Sequence, residues 1–370
     1  MDYKKIKIWE NVLLEDWENW RWQLENCVNS PEELKHIVHL SDAELNGVLG
    51  SSRQFKMRIS PHIALLMSEE KNAKLRKQFL PSVNELDSVE DNLLYSDVNA
   101  DNRYSPVKNL IHRYPSKILI FPANHCGSFC RYCFRRKLAR DNDTIISERN
   151  IEQIIKYVEE NDKIEEIIFS GGDPLVLDDS SLDYIIRCLK DIAHIKLIRI
   201  HTRMPIVNPY RLTESLLRIL KQFNPIFIVI HIDTLEEISQ PMRKRIEKYI
   251  DSGILCFAST PLLKGINDDE DTLRALWSGL LQMRVKPYYL FHSDPVKGLR
   301  HFIVPIERGI QIMKNLYDNM SGLAFPHYCL NVPDGGGHIL LNYNYIEKME
   351  KGIYKINTFE GKQYNFIEKI

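Results

Sequence analysis

Three cysteines that lie close together in the sequence are the residues best suited to chemistry. Cys126, Cys130 and Cys133 are separated by three and by two residues. A tight loop with this spacing can direct three thiolates at three irons of a [4Fe–4S] cluster, which leaves the fourth iron open to a small chelating molecule. A structural zinc ion would ordinarily need a fourth ligand, and the adjacent His125 is poorly placed to bind the same ion. The motif predicts a cluster with one open iron, with zinc as the alternative.

The cysteine count and the charge balance exclude several classes of protein. The chain has 370 residues and seven cysteines, an odd number that does not suit a disulfide framework, so a reducing, cytoplasmic location is expected. Lys and Arg number 49 and Asp and Glu number 50, which gives a formal charge of −1 and no basic surface for nucleic acid or an anionic membrane. No apolar run is long enough to span a bilayer or to form a signal peptide.

The elements that must position the cysteines change in character along the chain. Residues 1–100 have helical spacing and N-cap patterns, and the polar stretch 87–101 is the expected linker. In residues 101–300, short apolar runs alternate with longer helical patterns, which predicts parallel β/α units. Residues 301–370 are expected to form a helix, a glycine-rich loop and a short tail. The six predicted strands are 117–122, 166–170, 196–201, 225–231, 254–259 and 286–291.

Polar residues follow these predicted strands at the edge where chemistry is expected. The segments are Asn124–Cys133, Gly171–Asp173, His201–Arg203, His231–Asp233, Ser259–Thr260 and His292–Asp294. Active sites of β/α barrels lie at the C-terminal ends of the strands. The pattern therefore favours an α/β fold, a partial (β/α)6 TIM-like barrel with an N-terminal helical extension, with an open sheet as the alternative.

With these motifs the sequence resembles the radical S-adenosylmethionine (SAM) superfamily, and within it the lysine 2,3-aminomutase family. The matching motifs are His112–Pro115, Cys130–Arg136, Ser170–Leu175, Gly265–Asp268 and Pro333–Gly337. The resemblance implies that the three cysteines hold a [4Fe–4S] cluster whose open iron binds the amino and carboxylate groups of SAM. One-electron reduction by an external donor such as flavodoxin or ferredoxin would then cleave SAM to a 5′-deoxyadenosyl radical, which takes hydrogen from an unactivated carbon.

The resemblance also implies which residues contact the cofactor. They are Tyr132, Gly171, Gly172, Asp173, His201, Arg203 and His231. The tyrosine would lie against the adenine of SAM. The Gly-Gly-Asp segment would meet the SAM amino group, because glycines let the backbone approach closely and a carboxylate pairs with an ammonium. The two histidines and the arginine are expected to contact the SAM carboxylate or ribose, with ordinary strand-end polar residues as the alternative.

Three further residues are implied to bind a free amino acid as the substrate. Arg135 would hold its carboxylate through two parallel hydrogen bonds. Asp294 would pair with its distal cation. Asn331 stands where lysine-specific members have a second acid, and one acid with one amide suits the wide donor fork of a guanidinium. The expected substrate is a basic amino acid, arginine before lysine, and no catalytic side chain is assigned.

The sequence departs from the family at the position that binds pyridoxal phosphate (PLP). The family's lysine, which forms a Schiff base with PLP, is replaced by His338. Imidazole cannot form the stable imine of a primary amine. Lys117 stands where an arginine is expected near the phosphate, and Ala258 and Ser259 replace an Asn-Gln pair. We therefore expect PLP to be absent and the substrate radical to lose an electron and a proton, which gives an alkene, or to regain hydrogen with altered stereochemistry.

A second departure concerns the C-terminal zinc site that family members often carry between subunits. No cysteine follows Cys329, and Asp269 stands where a cysteine ligand would be expected. Zinc is expected to be absent, and homo-oligomerisation stays open.

Three functions remain open from the sequence. The first is a PLP-independent radical SAM enzyme that desaturates the side chain of a free basic amino acid, most concretely L-arginine. The second is an amino acid 2,3-aminomutase, for lysine or a related substrate, with non-covalently bound PLP. The third is a non-catalytic iron–sulfur protein.

Overall fold

The N-terminal region folds as a series of short helices in a computed structural model that describes residues 2–51, 55–86, 94–136, 143–350, 353–358 and 362–367. The expected linker 87–101 is thus described only from residue 94. The helices are α1 (Leu14–Trp17), α2 (Trp20–Glu25), α3 (Pro31–Lys35), α4 (Asp42–Ser51), α5 (Pro61–Met67) and α6 (Ala73–Phe79). Ser30 caps α3, since its side chain accepts from the Glu33 amide and Glu33 bonds back to the Ser30 amide.

The central feature is a nine-stranded sheet that follows the chain order from β1 to β9. Its strands are β1 (Leu110–Tyr114), β2 (Lys117–Ala123), β3 (Glu166–Gly171), β4 (Leu197–Thr202), β5 (Ile226–His231), β6 (Leu255–Pro261), β7 (Lys286–Phe291), β8 (His327–Val332) and β9 (Gly337–Leu340). Strands β2 to β8 are parallel to their neighbours, whereas β1 and β9 pair antiparallel at the two edges. The predicted α/β partial barrel is confirmed, and the six predicted strands are all present.

Helices cross between the parallel strands, as βαβ units require. They are α7 (Glu148–Glu159), α8 (Asp179–Lys190), α9 (Met204–Val207), α10 (Glu214–Lys221), α11 (Gln240–Asp251), α12 (Glu270–Gln282) and α13 (Ile306–Leu316). Helix α7 shows why they form: Ser147 caps it, and Ile151, Ile154 and Val158 recur on one buried face. Among the described helices, none is long and apolar enough to cross a membrane.

The C-terminal region contains more strand than the sequence predicts. The expected helix is α13, but β8 adds a seventh parallel strand, and the glycine-rich loop is the turn of the β8–β9 hairpin. The turn needs glycine, because Gly335 and Gly337 have φ of 79° and 87°. The expected short tail forms a separate antiparallel sheet of β10 (Ile346–Glu350), β11 (Ile353–Asn357) and β12 (Gln363–Ile367). The sequence does not predict β8, whose conformation depends on its pairing with β7 and β9.

The N-terminal helices and the barrel share one hydrophobic core, which includes Trp17 and Tyr210. The indole Nε1 of Trp17 donates to Tyr210 Oη at 2.9 Å. At the barrel seam, the His338 amide on β9 donates to Tyr114 Oη on β1 at 2.9 Å. The division into regions 1–100, 101–300 and 301–370 stays a prediction.

Candidate active site

The loop that carries the three cysteines leaves the C-terminal end of β2 and is held by the N-terminal region. The Phe129 amide donates to the carbonyl of Arg58, and the Arg131 amide to that of Gln78, both at 2.8 Å. Gly127 packs so tightly that an added Cβ would lie 2.8 Å from Met204 Sδ. The helical extension thus fixes the path of the cysteine loop.

The three thiols share one buried environment. Burial is the largest cause that raises the pKa of each thiol, and it raises that of Cys133 to about 11. The charge of one cysteine also acts on the others, and both Cys130 and Cys133 raise the pKa of Cys126. In the parts of the chain that the structure describes, no three His, Cys, Asp or Glu side chains surround a single point that a metal ion could occupy. A cubane cluster takes one thiolate per iron, so it requires no such convergence.

The Gly-Gly-Asp segment at the end of β3 packs directly on the cysteine loop. The Gly172 amide donates to Ala123 O at 3.0 Å, and the Asp173 amide donates to His125 O at 2.8 Å. A Cβ at Gly172 would lie 2.2 Å from His125 O, and Gly171 has φ of 107°. Only glycine fits these positions, as the motif predicts.

The Asp173 carboxylate is buried and bonded to the chain itself. It accepts from Thr202 Oγ1 at 2.7 Å and from the amides of Leu175, Arg203 and Met204 at 3.0, 2.7 and 3.1 Å. Burial raises its pKa, and these donors oppose the rise. The side chain therefore locks the end of β3 to the end of β4. Contact between this segment and the SAM amino group stays a prediction.

Arg203 lies between the cysteine loop and two buried acids. Its Nη1 donates to Cys130 Sγ at 2.8 Å, and its Nη2 contacts Glu237 at 3.0 Å and Asp233 at 3.1 Å. Nη2 also donates to Gln78 Oε1. The structure thus places Arg203 against the cysteine motif, and its expected contact with the SAM carboxylate or ribose stays a prediction.

Tyr132 is half-buried next to this arginine. The Arg203 guanidinium lies 5.2 Å from the centre of the Tyr132 ring, and the Phe302 ring meets Tyr132 edge-on at 6.2 Å. The Tyr132 ring is thus already in contact with two protein side chains, Arg203 and Phe302. The adenine contact of Tyr132 stays a prediction.

His201 and His231 lie together at the ends of β4 and β5, with ring centres 5.6 Å apart. Burial lowers the pKa of both imidazoles, that of His231 to about 4, and the charge of Arg135 adds to the effect. His201 Nε2 is buried and has no hydrogen-bond partner among the described residues. The two rings are therefore neutral near pH 7, and one nitrogen is available to a ligand.

The expected carboxylate anchor Arg135 follows the last cysteine. Its Nε donates to Asp101 Oδ2 at 3.1 Å, and its guanidinium lies over the rings of Phe121 at 4.8 Å and Phe134 at 4.5 Å. These contacts fix the plane of the guanidinium.

The structure brings Asp294 and Asn331 together, although 37 residues separate them in sequence. The Asn331 amide nitrogen donates to Asp294 Oδ1 at 2.9 Å. Burial raises the pKa of Asp294 to about 6, although the Asn331 bond and the charge of Arg135 both lower it. Within the described residues, Asn331 Oδ1 is buried without a partner. The pair therefore presents acceptor oxygens, which suit a donor-rich cation.

His338 lies opposite Asn331 in the β8–β9 ladder, so both side chains are on the same face of the sheet. Its ring centre is 5.3 Å from that of Phe291. The His338 side chain is exposed, and its pKa is lowered to about 4, first by partial desolvation and then by the charges of Arg113, Lys117, Arg135 and Arg199. The expected replacement of the family's lysine by His338 stays a prediction.

Comparison with known proteins decides the family. The family model "Radical SAM superfamily" matches residues 120–276. The chain is 33% identical over 360 residues to L-lysine 2,3-aminomutase of Bacillus subtilis (strain 168), and the alignment covers 97% of this chain and 76% of that protein. It is 33% identical over 353 residues to glutamate 2,3-aminomutase of Clostridioides difficile (strain 630), and the alignment covers 95% of this chain and 83% of that protein. The chain belongs to the lysine 2,3-aminomutase family of radical SAM enzymes.

Membership in the radical SAM superfamily implies a [4Fe–4S] cluster and SAM, and the residues present fit both groups. The three half-buried cysteines would supply one ligand to each of three irons. Gly172 brings backbone close to the cysteine loop, and the free His201 Nε2 lies at the same end of the barrel. When bound, the reduced cluster supplies the electron that cleaves SAM. The family also indicates an enzyme with a small-molecule substrate, in preference to a non-catalytic iron–sulfur protein.

Several residues of this radical SAM site are not found by sequence reasoning. Gln78 contacts Arg203 across 125 residues, and no spacing connects them. Glu237 shows a local pattern with Thr234, but that capping box predicts only the start of a helical turn. Asp101, which orients Arg135, lies at the end of the expected linker and carries no motif.

Proposed function

We propose that this radical SAM enzyme abstracts a hydrogen atom from a free basic amino acid. The observation that carries the proposal is the hydrogen-bonded pair of Asp294 and Asn331, in which Asn331 Oδ1 is buried without a partner among the described residues. Arg135 supplies the opposite charge nearby, since it acts on the pKa of Asp294. A molecule with a carboxylate at one end and a cationic donor group at the other could pair with Arg135 at its first end and with Asp294 and Asn331 at its second.

The distal pair favours a guanidinium over an ammonium. Asn331 donates one amide hydrogen to Asp294 Oδ1, which leaves Asn331 Oδ1 and the second carboxylate oxygen of Asp294 as acceptors for a ligand. A planar guanidinium offers parallel N–H groups to two such oxygens, whereas an ammonium is a compact point charge. We therefore place arginine before lysine as the substrate.

For the fate of the substrate radical, the relatives favour migration of the amino group. Both relatives described above are 2,3-aminomutases by name. The cations Arg113, Lys117 and Arg199 act on His338 and would suit the phosphate of PLP held without a covalent link. An arginine or lysine 2,3-aminomutase with non-covalently bound PLP is accordingly the first candidate reaction.

Desaturation without PLP is the second candidate, and His338 favours it. Its imidazole cannot form the covalent imine that a lysine forms with PLP. A substrate radical that does not rearrange can lose an electron and a proton, which leaves an alkene in the side chain. The electron would return to the oxidised cluster, so this route consumes no additional oxidant.

Anaerobic turnover with and without PLP distinguishes the two reactions. The enzyme is reconstituted with iron and sulfide, reduced, and given SAM with arginine or lysine, and products are analysed by mass spectrometry. A product of unchanged mass with a shifted amino group, formed only with PLP, supports the aminomutase. A product lighter by two hydrogens, formed without PLP, supports the desaturase. Failure of both amino acids to raise 5′-deoxyadenosine above the SAM-only level contradicts the proposed function.

A further inference from the structure

Arg203 connects one cysteine of the cluster motif to a buried acidic pair, and this arrangement has no counterpart at the other two cysteines among the described residues. Nη1 lies 2.8 Å from Cys130 Sγ. Nη2 is shared between Gln78, Glu237 and Asp233. A single guanidinium thus contacts a sulfur on one side and two carboxylates on the other.

The position of Arg203 is fixed on every side. Its guanidinium lies over the ring of Phe79 at 4.9 Å and the ring of Tyr132 at 5.2 Å, and the residue is 8% exposed. Gln78 also donates to Glu237 at 3.1 Å, so the acceptors of the guanidinium are themselves held in place. Both terminal nitrogens are engaged by protein atoms, which directs Nη1 at the Cys130 sulfur, whereas Nε has no hydrogen-bond partner among the described residues.

We propose that Arg203 is a positioning residue that sets the reduction potential of the cluster through its hydrogen bond to the Cys130 sulfur. Reduction adds a negative charge to the cluster, and a cationic N–H donor at a ligating sulfur stabilises the more negative state. Hydrogen bonds to the sulfurs are one of the means by which proteins shift the potentials of iron–sulfur clusters. The bond therefore raises the potential and makes the cluster easier to reduce.

The acidic pair explains how a charged donor can be kept at this place. Burial raises the pKa of both Asp233 and Glu237, and the charge of Arg203 opposes the rise. Asp233 and Glu237 are both 0% exposed, so water does not solvate their carboxylates. The carboxylates hold the guanidinium in position from the side away from the sulfur. A purely structural role would also need this ion pair, but it would not need the contact with Cys130.

The test is a redox titration of the reconstituted enzyme in the absence of SAM, monitored by the EPR signal of the reduced cluster. We expect the midpoint potential to fall in the order wild type, R203K, R203M. Lysine keeps the positive charge but lacks the planar set of N–H donors of the guanidinium, whereas methionine lacks both. The expected change for R203M is at least tenfold in the ratio of reduced to oxidised cluster at a fixed potential, which is about 59 mV for one electron.

Arg211 provides the matched control. It is 0% exposed and bonds to Leu175 O, Leu177 O and Asp179, so R211K also changes a buried, fully bonded arginine. These hydrogen bonds of Arg211 all go to oxygen atoms away from the cysteine loop, and R211K is expected to keep the wild-type potential. If R203M and R211K have the same midpoint potential, the proposal is wrong.

A second measurement needs no substitution and decides the matter if the Arg203 variants fail to bind iron. Wild-type enzyme is prepared with ¹⁵N-labelled arginine, and the reduced cluster is examined by pulsed EPR. A hyperfine coupling to arginine ¹⁵N supports the N–H···S bond. The absence of this coupling in a fully loaded cluster overturns the proposal, whatever the activity of the enzyme.

Discussion

Substitution of Asp294 by asparagine tests the distal end of the substrate site. In the proposed complex, the partly buried Asp294 carboxylate faces the cationic end of the substrate, and its pKa of about 6 leaves it mostly ionised at pH 7.5. Removal of one member of a buried charge pair costs about 3–5 kcal/mol. Each 1.4 kcal/mol is a factor of ten, so D294N should lower the apparent affinity for arginine by at least about 100-fold.

The assay is the arginine dependence of 5′-deoxyadenosine formation. The control is D183N, which removes an exposed acid from an ion pair with Arg187 on α8 and should change the apparent KM little. In the wild type, the apparent KM should also rise as the pH falls below about 6, because a protonated Asp294 no longer attracts the cation. An unchanged KM in D294N would refute the placement of Asp294 in the site.

The same substitution should stabilise the free protein. The pKa of Asp294 is raised in the folded state from its ordinary value of 3.8 to about 6. Folding therefore disfavours the ionised carboxyl, and Asp294 lowers the free energy of unfolding progressively as the pH rises from about 4 to about 6. This difference corresponds to roughly 3 kcal/mol at pH 7. Urea unfolding of the protein without cluster should therefore show D294N to be more stable at pH 7 and equal near pH 3, and a loss of stability at pH 7 would contradict the argument.

Three other substitutions test separate parts of the site. C130A should abolish cluster-dependent SAM cleavage, and activity with a full iron content would refute the cluster assignment. D101N should raise the apparent KM for arginine about 3- to 30-fold and leave kcat nearly unchanged, because a bond to a charged group of about 1–2 kcal/mol no longer orients Arg135; a loss of kcat alone would contradict this role. H338K should form a borohydride-reducible adduct with PLP that mass spectrometry detects, and absence of the adduct would indicate that the cations beside His338 do not bind PLP.

The sequence predicts those parts of the fold and site that depend on local patterns. Strands such as Glu166–Gly171 and helices such as Glu148–Glu159 follow from apolar spacing and caps, and the cysteine spacing follows from cluster chemistry. Strand β8 does not, because its conformation depends on pairing with β7. A hydrogen bond joins Asp294 and Asn331 in the structure, and their expected role in the distal pocket stays a prediction.

The network around Arg203 shows why the remaining part of the site could not be predicted. Its partners come from α6, from the cysteine loop and from the segment after β5, and only the folded chain brings Gln78 and Glu237 to one guanidinium. The expectation for PLP depends on the departures from the family pattern at His338, Lys117, Ala258 and Ser259. The cations around the ring of His338, which suit a phosphate, come from four different segments and become visible only in the structure.

Transfer of a label from the substrate to 5′-deoxyadenosine tests the central claim most directly. Arginine and lysine deuterated along the side chain and at the α-carbon are incubated with reduced, reconstituted enzyme and SAM, and the mass of 5′-deoxyadenosine is measured. Hydrogen abstraction from a free basic amino acid predicts deuterium in 5′-deoxyadenosine, with arginine more effective than lysine. Formation of 5′-deoxyadenosine that is independent of both amino acids and carries no deuterium would contradict the account.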